Sequence, residues 1–446
     1  MMRSAYRDTT SADSTVLPYI LLAAGIIRAA VVLLLRTYRT PLLWEVGPLA
    51  ANLYHRLGYA EQLPGQQPWP AIFMPPGYAF WVAAFYKVFG MGPTAYIAIQ
   101  VCQIGLGLVV VLLVYKLAVI LVGHDCAAAA AAMTALYPPL VYLPVEFHAI
   151  NLYLPLEMAC IYFLAEFATA RKGTTSVFLA AVCMGGLLLF RAEALALVVI
   201  FAALLLVLRG KSALIPALWF LLISFAILAP WTIRNYVFFR SLIPVCQSSG
   251  TNLWIGNNPL ATGDDRYQAA DDVRSALSKD TKGDVAREFG LTQIPLEIRE
   301  SFRQIPFDKD SLIRKDRVLQ TVAVRFIESQ PKQFLRVALK KSFYFFFVDF
   351  HHEMGRRPVY WIPASLLSLL ALAGLVLGWR DLDKSFLLVI VPILFSVLLG
   401  AVVFVIPRYR IVNDPLLILC AALLAPAIKR TRDGDALVDP LVRRLS

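Results

Sequence analysis

Residues 41 to 78 read PLLWEVGPLAANLYHRLGYAEQLPGQQPWPAIFMPPGY. They follow an apolar segment, 17 to 35, close to the roughly 20 residues that cross a bilayer. Glu45, His55, Arg56, Glu61 and a Pro- and Gln-rich loop would be costly in lipid, so the stretch belongs at or outside a membrane boundary. Pro48 suits a first helical position and Gly58 the residue past a helix end, which predicts a short amphipathic helix over 48–57. Glu45 then precedes a helix start, where aligned amide dipoles favour the ionised carboxylate. Both a catalytic base and a solvated residue heading an interfacial helix fit that position.

The chain around this loop is that of a polytopic membrane protein. Hydrophobic residues make up 59% of it, charged residues 16%, and the mean hydropathy is +0.66, too apolar for a soluble protein of 446 residues. The net charge of +12 is expected to serve inside-facing anchors and lipid head groups, and no nucleic-acid partner is assigned. Cys102, Cys160, Cys183 and Cys420 fall in apolar segments, Cys126 borders one, and Cys246 sits in a long polar loop. That distribution indicates no disulfide framework.

In chain order, spans are expected at 17–35, 93–121, 127–143 and 149–168. The apolar run 175–208 is broken at Phe190-Arg191-Ala192-Glu193 and divides into two short helices. Further spans follow at 213–233, 359–378, 385–405 and 410–428, about ten in all. Residues 78–90 are too short to cross and are expected against the interface. The fold class is therefore all-α, with interfacial helices in the first outer loop and an extracytoplasmic loop domain. The expected division is an N-terminal bundle over 1–235, including the first outer loop 36–78, a loop domain with an interfacial helix over 236–358, and C-terminal spans with a tail over 359–446.

With both termini inside, the inner turns contain His124-Asp125, Arg171-Lys172, Arg209-Lys211 and Arg380-Lys384, and the tail Lys429, Arg430 and Arg432. This is the positive-inside pattern of a plasma membrane protein. The opposite side collects the Glu45 loop, Glu146 and His148, the FRAE turn, the 236–340 region and Arg408-Tyr409-Arg410. Chemistry is expected there.

Several stretches carry a resemblance: WEVGPLAANLYHRLGYA with FMPPGYAFWVAAFYKVFG, YPPLVYLP at 137–144, LLLFRAEALAL around Arg191, PWTIRNYVFF at 230–239, GTNLWIGNNPLATGD at 250–264, FIESQPKQFLRVALKKSFYFF at 326–346 and RYRIVNDPLLIL at 408–419. Together the chain resembles a bacterial integral membrane glycosyltransferase of the GT-C superfamily, similar to protein O-mannosyltransferases and lipid A aminoarabinose transferases. The resemblance implies transfer of a sugar from a polyprenyl-phosphate donor to a lipid, glycan or protein acceptor outside the bacterial inner membrane. The family commonly has Asp in the first loop where this chain has Glu45, and aminoarabinose transferases have Lys at the position of Met74.

Inverting transfer needs one carboxylate to take the acceptor proton and cations to stabilise the departing phosphate. Glu45 is assigned the first role. Arg191, Arg234 and Arg408 are assigned the second, since the planar guanidinium matches phosphate oxygens. Glu146, Tyr78, Asn252, Trp254 and Asn257 are assigned to substrate binding. Interfacial anchoring is the competing explanation for each arginine, and a turn-rich structural loop that for the asparagines. Arg28 and Glu157 fall inside spans, where a structural ion pair competes with a functional role. Asp349, His351, His352 and Glu353 match no standard metal spacing, and no metal is assigned. The other classes open to this sequence are a transporter or flippase using Arg28, Glu157 and Glu193, and an envelope-polysaccharide polymerase or ligase with a pyrophosphate-linked donor.

Overall fold

The computed structural model describes residues 12–43, 46–61, 68–259, 261–263, 296–306, 308, 310–347, 355–379 and 382–425. It begins with α1 (Ala12–Leu35), the short α2 (Val46–Tyr54), α3 (Gly77–Phe89) and the long α4 (Pro93–Leu121). Next come α5 (His124–Leu136), α6 (Pro138–Tyr142), α7 (Ile150–Ala168), α8 (Thr174–Leu188), α9 (Ala194–Arg209) and α10 (Leu214–Phe239). A polar unit follows: α11 (Ser249–Gly256), α12 (Leu296–Arg303), α13 (Ser311–Ser329) and α14 (Pro331–Phe346). The described residues close with α15 (Pro358–Gly378), α16 (Leu387–Val402), α17 (Pro407–Ile411) and α18 (Asp414–Ala422).

The protein is an all-α polytopic membrane protein. Among the described residues six apolar helices are long enough to cross, or seven if the bent pair Cys126–Leu136 and Pro138–Val145 makes one span. One of the six, Ala194–Phe239, runs for 46 residues. At 1.5 Å per residue that is about 69 Å, more than twice a hydrocarbon core of ~30 Å. Gly210, at φ +60°, divides it between α9 and α10. The expected ten spans are thus not all present as long helices: Thr174–Leu188 is shorter, and in place of a span over 410–428 the described chain forms α17 and α18.

The break between α5 and α6 explains Arg28. Pro138 and Pro139 have no N–H to donate to the carbonyls four residues earlier, those of Thr134 and Ala135. Arg28 donates to both, at 3.3 and 3.0 Å, and to Ala24 O at 3.2 Å. An intramembrane arginine here satisfies a broken helix rather than pairing with Glu157.

The first loop differs from expectation in detail. Its helix starts at Val46, two residues before Pro48, and ends at Tyr54. Arg56 takes a left-handed conformation (φ 64°) before Gly58 (φ 82°). A two-residue antiparallel ladder, β1 (Ala60–Glu61) with β2 (Trp69–Pro70), closes the loop.

Helix α8 packs between α7 and α10, and α4 packs against α1, α5 and α7. Helix α18 lies on α15 and α5. In the polar unit α11 packs on α13, and Trp254, Phe302, Leu312 and Leu319 form a separate apolar core.

Candidate active site

The turn between α8 and α9 gathers three segments. The Arg191 guanidinium pairs with Glu193 through Nε and Oε1 and lies over the rings of Tyr153 (5.5 Å) and Tyr409 (5.1 Å). It thereby joins α7, its own turn and α17. The first loop docks on the same turn, with Gly77 N donating to Leu189 O at 2.7 Å. A Cβ at position 77 would lie 2.7 Å from Phe190 Cε1 and 2.8 Å from Leu189 O, so the approach requires glycine. The MPPGY and LLLFRAE stretches meet at this contact.

A second turn, 146–149, is held rigidly beside it. Gln103 of α4 donates from Nε2 to Pro144 O (2.9 Å) and Glu146 O (3.1 Å), and its Oε1 accepts from Tyr78 Oη (2.9 Å). Asn151 Nδ2 also donates to Glu146 O at 2.9 Å. These bonds engage the backbone of Glu146. Burial raises the pKa of its carboxyl, against the opposing charge of Arg408. His148 Nδ1 accepts from Ile150 N at 3.2 Å, which places the ring proton on Nε2. Burial, then the charges of Arg408 and Arg191, push this histidine down to about 3, so it stays neutral. Arg408 is half-buried, and among the described residues it has no hydrogen-bond or ion-pair partner.

Against the Arg191–Glu193 turn opens a cavity of about 550 Å3. Tyr153, Tyr409, Gln247, Ser248 and Asn252 are among the polar residues that line it. The 247–252 segment is fixed by Asp316 of α13, a buried carboxylate that accepts from Gln247 Nε2 (2.6 Å), Gly250 N (3.0 Å), Thr251 N (2.7 Å) and Thr251 Oγ1 (2.8 Å). On the other side of the same turn, Leu189 and Phe190 border a larger apolar groove of about 950 Å3, shared by the first loop and α10.

The expected site residues fall into distinct places. Arg191 and Asn252 line the smaller cavity, and Arg408 adjoins Glu146 and His148 electrostatically. Arg234 lines the larger groove. It donates to Ala71 O and Tyr59 O, both at 2.7 Å, and lies 4.8 Å from the Trp231 ring, so it clamps the first loop to α10. Tyr78 is buried, with its hydroxyl on Gln103. Trp254 is buried in the core of the polar unit. Asn257 donates to Leu253 O (2.7 Å) and Val402 O (2.6 Å). Glu45 lies outside the described residues, but Leu43 and Val46 on either side of it pack into the apolar cluster that contains Phe147. Asp349, His351, His352 and Glu353 also lie outside them; among the described residues no group of three or more His, Cys, Asp or Glu could hold a metal ion.

Three participants were not singled out in the sequence. Tyr409 stands between two arginines that draw attention first. Tyr153 looks like one more aromatic in a span. Asp316 looks like an ordinary acid on an amphipathic helix, and nothing local marks its four bonds to the 247–251 segment.

No family model matches the chain, and no curated protein matches it. Solved structures do. The oligosaccharyltransferase AglB of Archaeoglobus fulgidus, in complex with an inhibitory peptide and a dolichol-phosphate, aligns at a TM-score of 0.51 and 12% identity over 95% of this chain and 52% of that one. The Archaeoglobus fulgidus oligosaccharyltransferase tethered with an acceptor peptide aligns at 0.52 and 14% identity, over 95% and 51%. The chain thus spans about half the length of these oligosaccharyltransferases. ArnT of Cupriavidus metallidurans bound to undecaprenyl phosphate aligns at 0.39 and 12% identity, over 95% and 80%. At such identities the likeness is one of fold alone.

Proposed function

We propose that this chain is a glycosyltransferase that moves a sugar from a polyprenyl-phosphate donor to a lipid, glycan or protein acceptor on the extracytoplasmic face of a bacterial plasma membrane. The observation that carries this reading is that Arg191 and Asn252 line one cavity while Arg191 and Arg408 act electrostatically on the adjoining turn of Glu146 and His148. The fold shared with an oligosaccharyltransferase solved with dolichol-phosphate supports it. Both termini lie in the cytoplasm on this reading, and the 236–358 region lies outside.

In the proposed reaction the acceptor hydroxyl oxygen attacks the anomeric carbon as the bond from that carbon to the phosphate oxygen breaks. The phosphate leaves with the bonding electron pair, the hydroxyl proton passes to a carboxylate, and the anomeric configuration inverts. Glu45 is the proposed base. Arg408 and Arg191 stabilise the phosphate charge, with Arg408 the better placed because it has no competing partner among the described residues. Arg234 serves at the larger groove, where part of its fork is already committed to carbonyls. Asn252 contacts the sugar from the cavity wall, Trp254 and Asn257 act by holding that wall, and Tyr78 acts by holding the Glu146 turn through Gln103. Glu146 contributes to substrate binding, and its raised pKa also makes it the second candidate base.

Comparing Glu45→Gln with Glu146→Gln tests the assignment. Loss of a general base typically costs 10²–10⁴-fold, so Glu45→Gln should lower turnover by about that much with donor binding nearly unchanged. If Glu146→Gln shows that loss and Glu45→Gln does not, the base is Glu146. If neither variant loses turnover, the carboxylate mechanism fails.

A further inference from the structure

Lys341 of α14 is completely buried, and no carboxylate among the described residues pairs with it. Its Nζ donates to Asn257 Oδ1 (3.3 Å) and to Ala401 O (3.2 Å). Around it two stretches are seamed together. Asn257 Nδ2 donates to Val402 O, and Val405 N donates to Gly263 O at 3.1 Å. Gly256 approaches so closely that a Cβ there would fall 1.4 Å from Val403 O. On the cavity side of the seam, Asn252 and Leu253 of α11 face Leu399 and Gly400 of α16 across the same space. Arg408 and Tyr409 follow a few residues beyond the seam.

We propose that Lys341 is a positioning residue, a buried latch that docks the polar unit onto the C-terminal end of α16 and so fixes the wall leading to Arg408 and Tyr409. The latch itself stands on geometry; only its consequence for turnover rests on the function proposed above.

The seam gives the ammonium amide acceptors and no countercharge, and burial lowers its pKa to about 7. Helices α11 and α16 bring no charged side chain to it. The other elements packed on α14 carry Arg314, Lys315, Asp316, Arg317, Arg325 and Glu328 (α13), Tyr360 (α15), and Arg408, Tyr409 and Arg410 (α17); its own helix carries Lys332, Arg336 and Lys340, which lies over Tyr344. Burial, not any of these charges, accounts for the shift. A lysine released to water regains its ordinary value near 10.4, so opening the seam takes up a proton between about pH 7 and pH 10. Opening is therefore suppressed as pH rises through that window, by up to about tenfold per pH unit.

Amide hydrogen exchange at Val405, on the full chain in detergent, reads this directly. Corrected for intrinsic chemistry, its protection should rise between pH 7 and pH 9 by up to about a hundredfold in total. Lys341→Met should abolish the rise. Asn257→Ala, which keeps the titrating amine, should retain the rise at lower protection throughout. Wild-type protection that does not change with pH, or a rise that persists in Lys341→Met, overturns the latch. If Lys341→Met does not fold, the wild-type profile decides alone. None of these readouts requires transfer, so a latch found in a chain that moves no sugar would refute the function and leave this inference standing.

Discussion

Arg408 and Arg410 stand two residues apart and differ in what they touch. Arg410 is almost wholly buried, donating to Ala364 O at 2.6 Å and Ser368 Oγ at 3.2 Å, with its Nε 3.5 Å from Asp414 Oδ1. Removing it leaves Asp414 buried without its cation, so Arg410→Ala should cost about 3–5 kcal/mol of stability, read as a loss of melting temperature. Arg408→Ala should leave the melting temperature nearly unchanged but weaken donor binding and turnover together. Equal melting losses for the two variants would remove the distinction. The sequence RYR shows two cations at a membrane boundary, but which one is spent on the fold depends on α15, more than 40 residues away. The same turn region makes a pH prediction. His148 is held near 3 and stays neutral, so His148→Asn should leave any inflection between pH 6 and 7 where it was. A base at Glu146 would instead produce an acid limb above the usual carboxylate range, with activity falling as pH drops through it.

At the scale of elements, the close seat of Gly77 on the α8–α9 turn is the most exposed to test. Gly77→Ala must displace Phe190 or the Leu189 carbonyl, which overpacking places at about 1–3 kcal/mol. Turnover should fall as well, because Arg191 follows Phe190 directly. A variant of wild-type stability and rate would mean that the contact is slack. Much of this level was legible beforehand: apolar length located α1, α4 and α7, and the charged FRAE break divided α8 from α9. The first-loop helix was found with its start displaced, since Pro48 is tolerated anywhere in a first turn and not only at its first residue. The role of Arg28 was not legible, because it depends on a proline pair more than 100 residues later in the chain.

For the molecule as a whole, sidedness and reaction are the remaining claims. Cys246 lines the smaller cavity, and burial pushes its thiol up to about 12. An impermeant maleimide should therefore label it from outside, slowly, and faster as pH is raised, while Cys126, Cys160 and Cys420 are buried. Labelling of Cys126 in intact cells, with Cys246 protected, would invert the orientation. The all-α membrane class followed from composition and apolar runs, because hydrophobic length is a local property. The cavity did not, because its walls come from α7, the α8–α9 turn, α9, the 242–253 segment, α13, α16 and α17, which only folding brings together. Transfer itself is tested most directly by incubating the purified chain in detergent with defined polyprenyl-monophosphate sugars and candidate acceptors. Sugar transfer to an acceptor is expected without any membrane potential or ion gradient. Transfer only from pyrophosphate-linked oligosaccharides, or substrate movement only in gradient-driven sealed vesicles with no transfer in detergent, would contradict it.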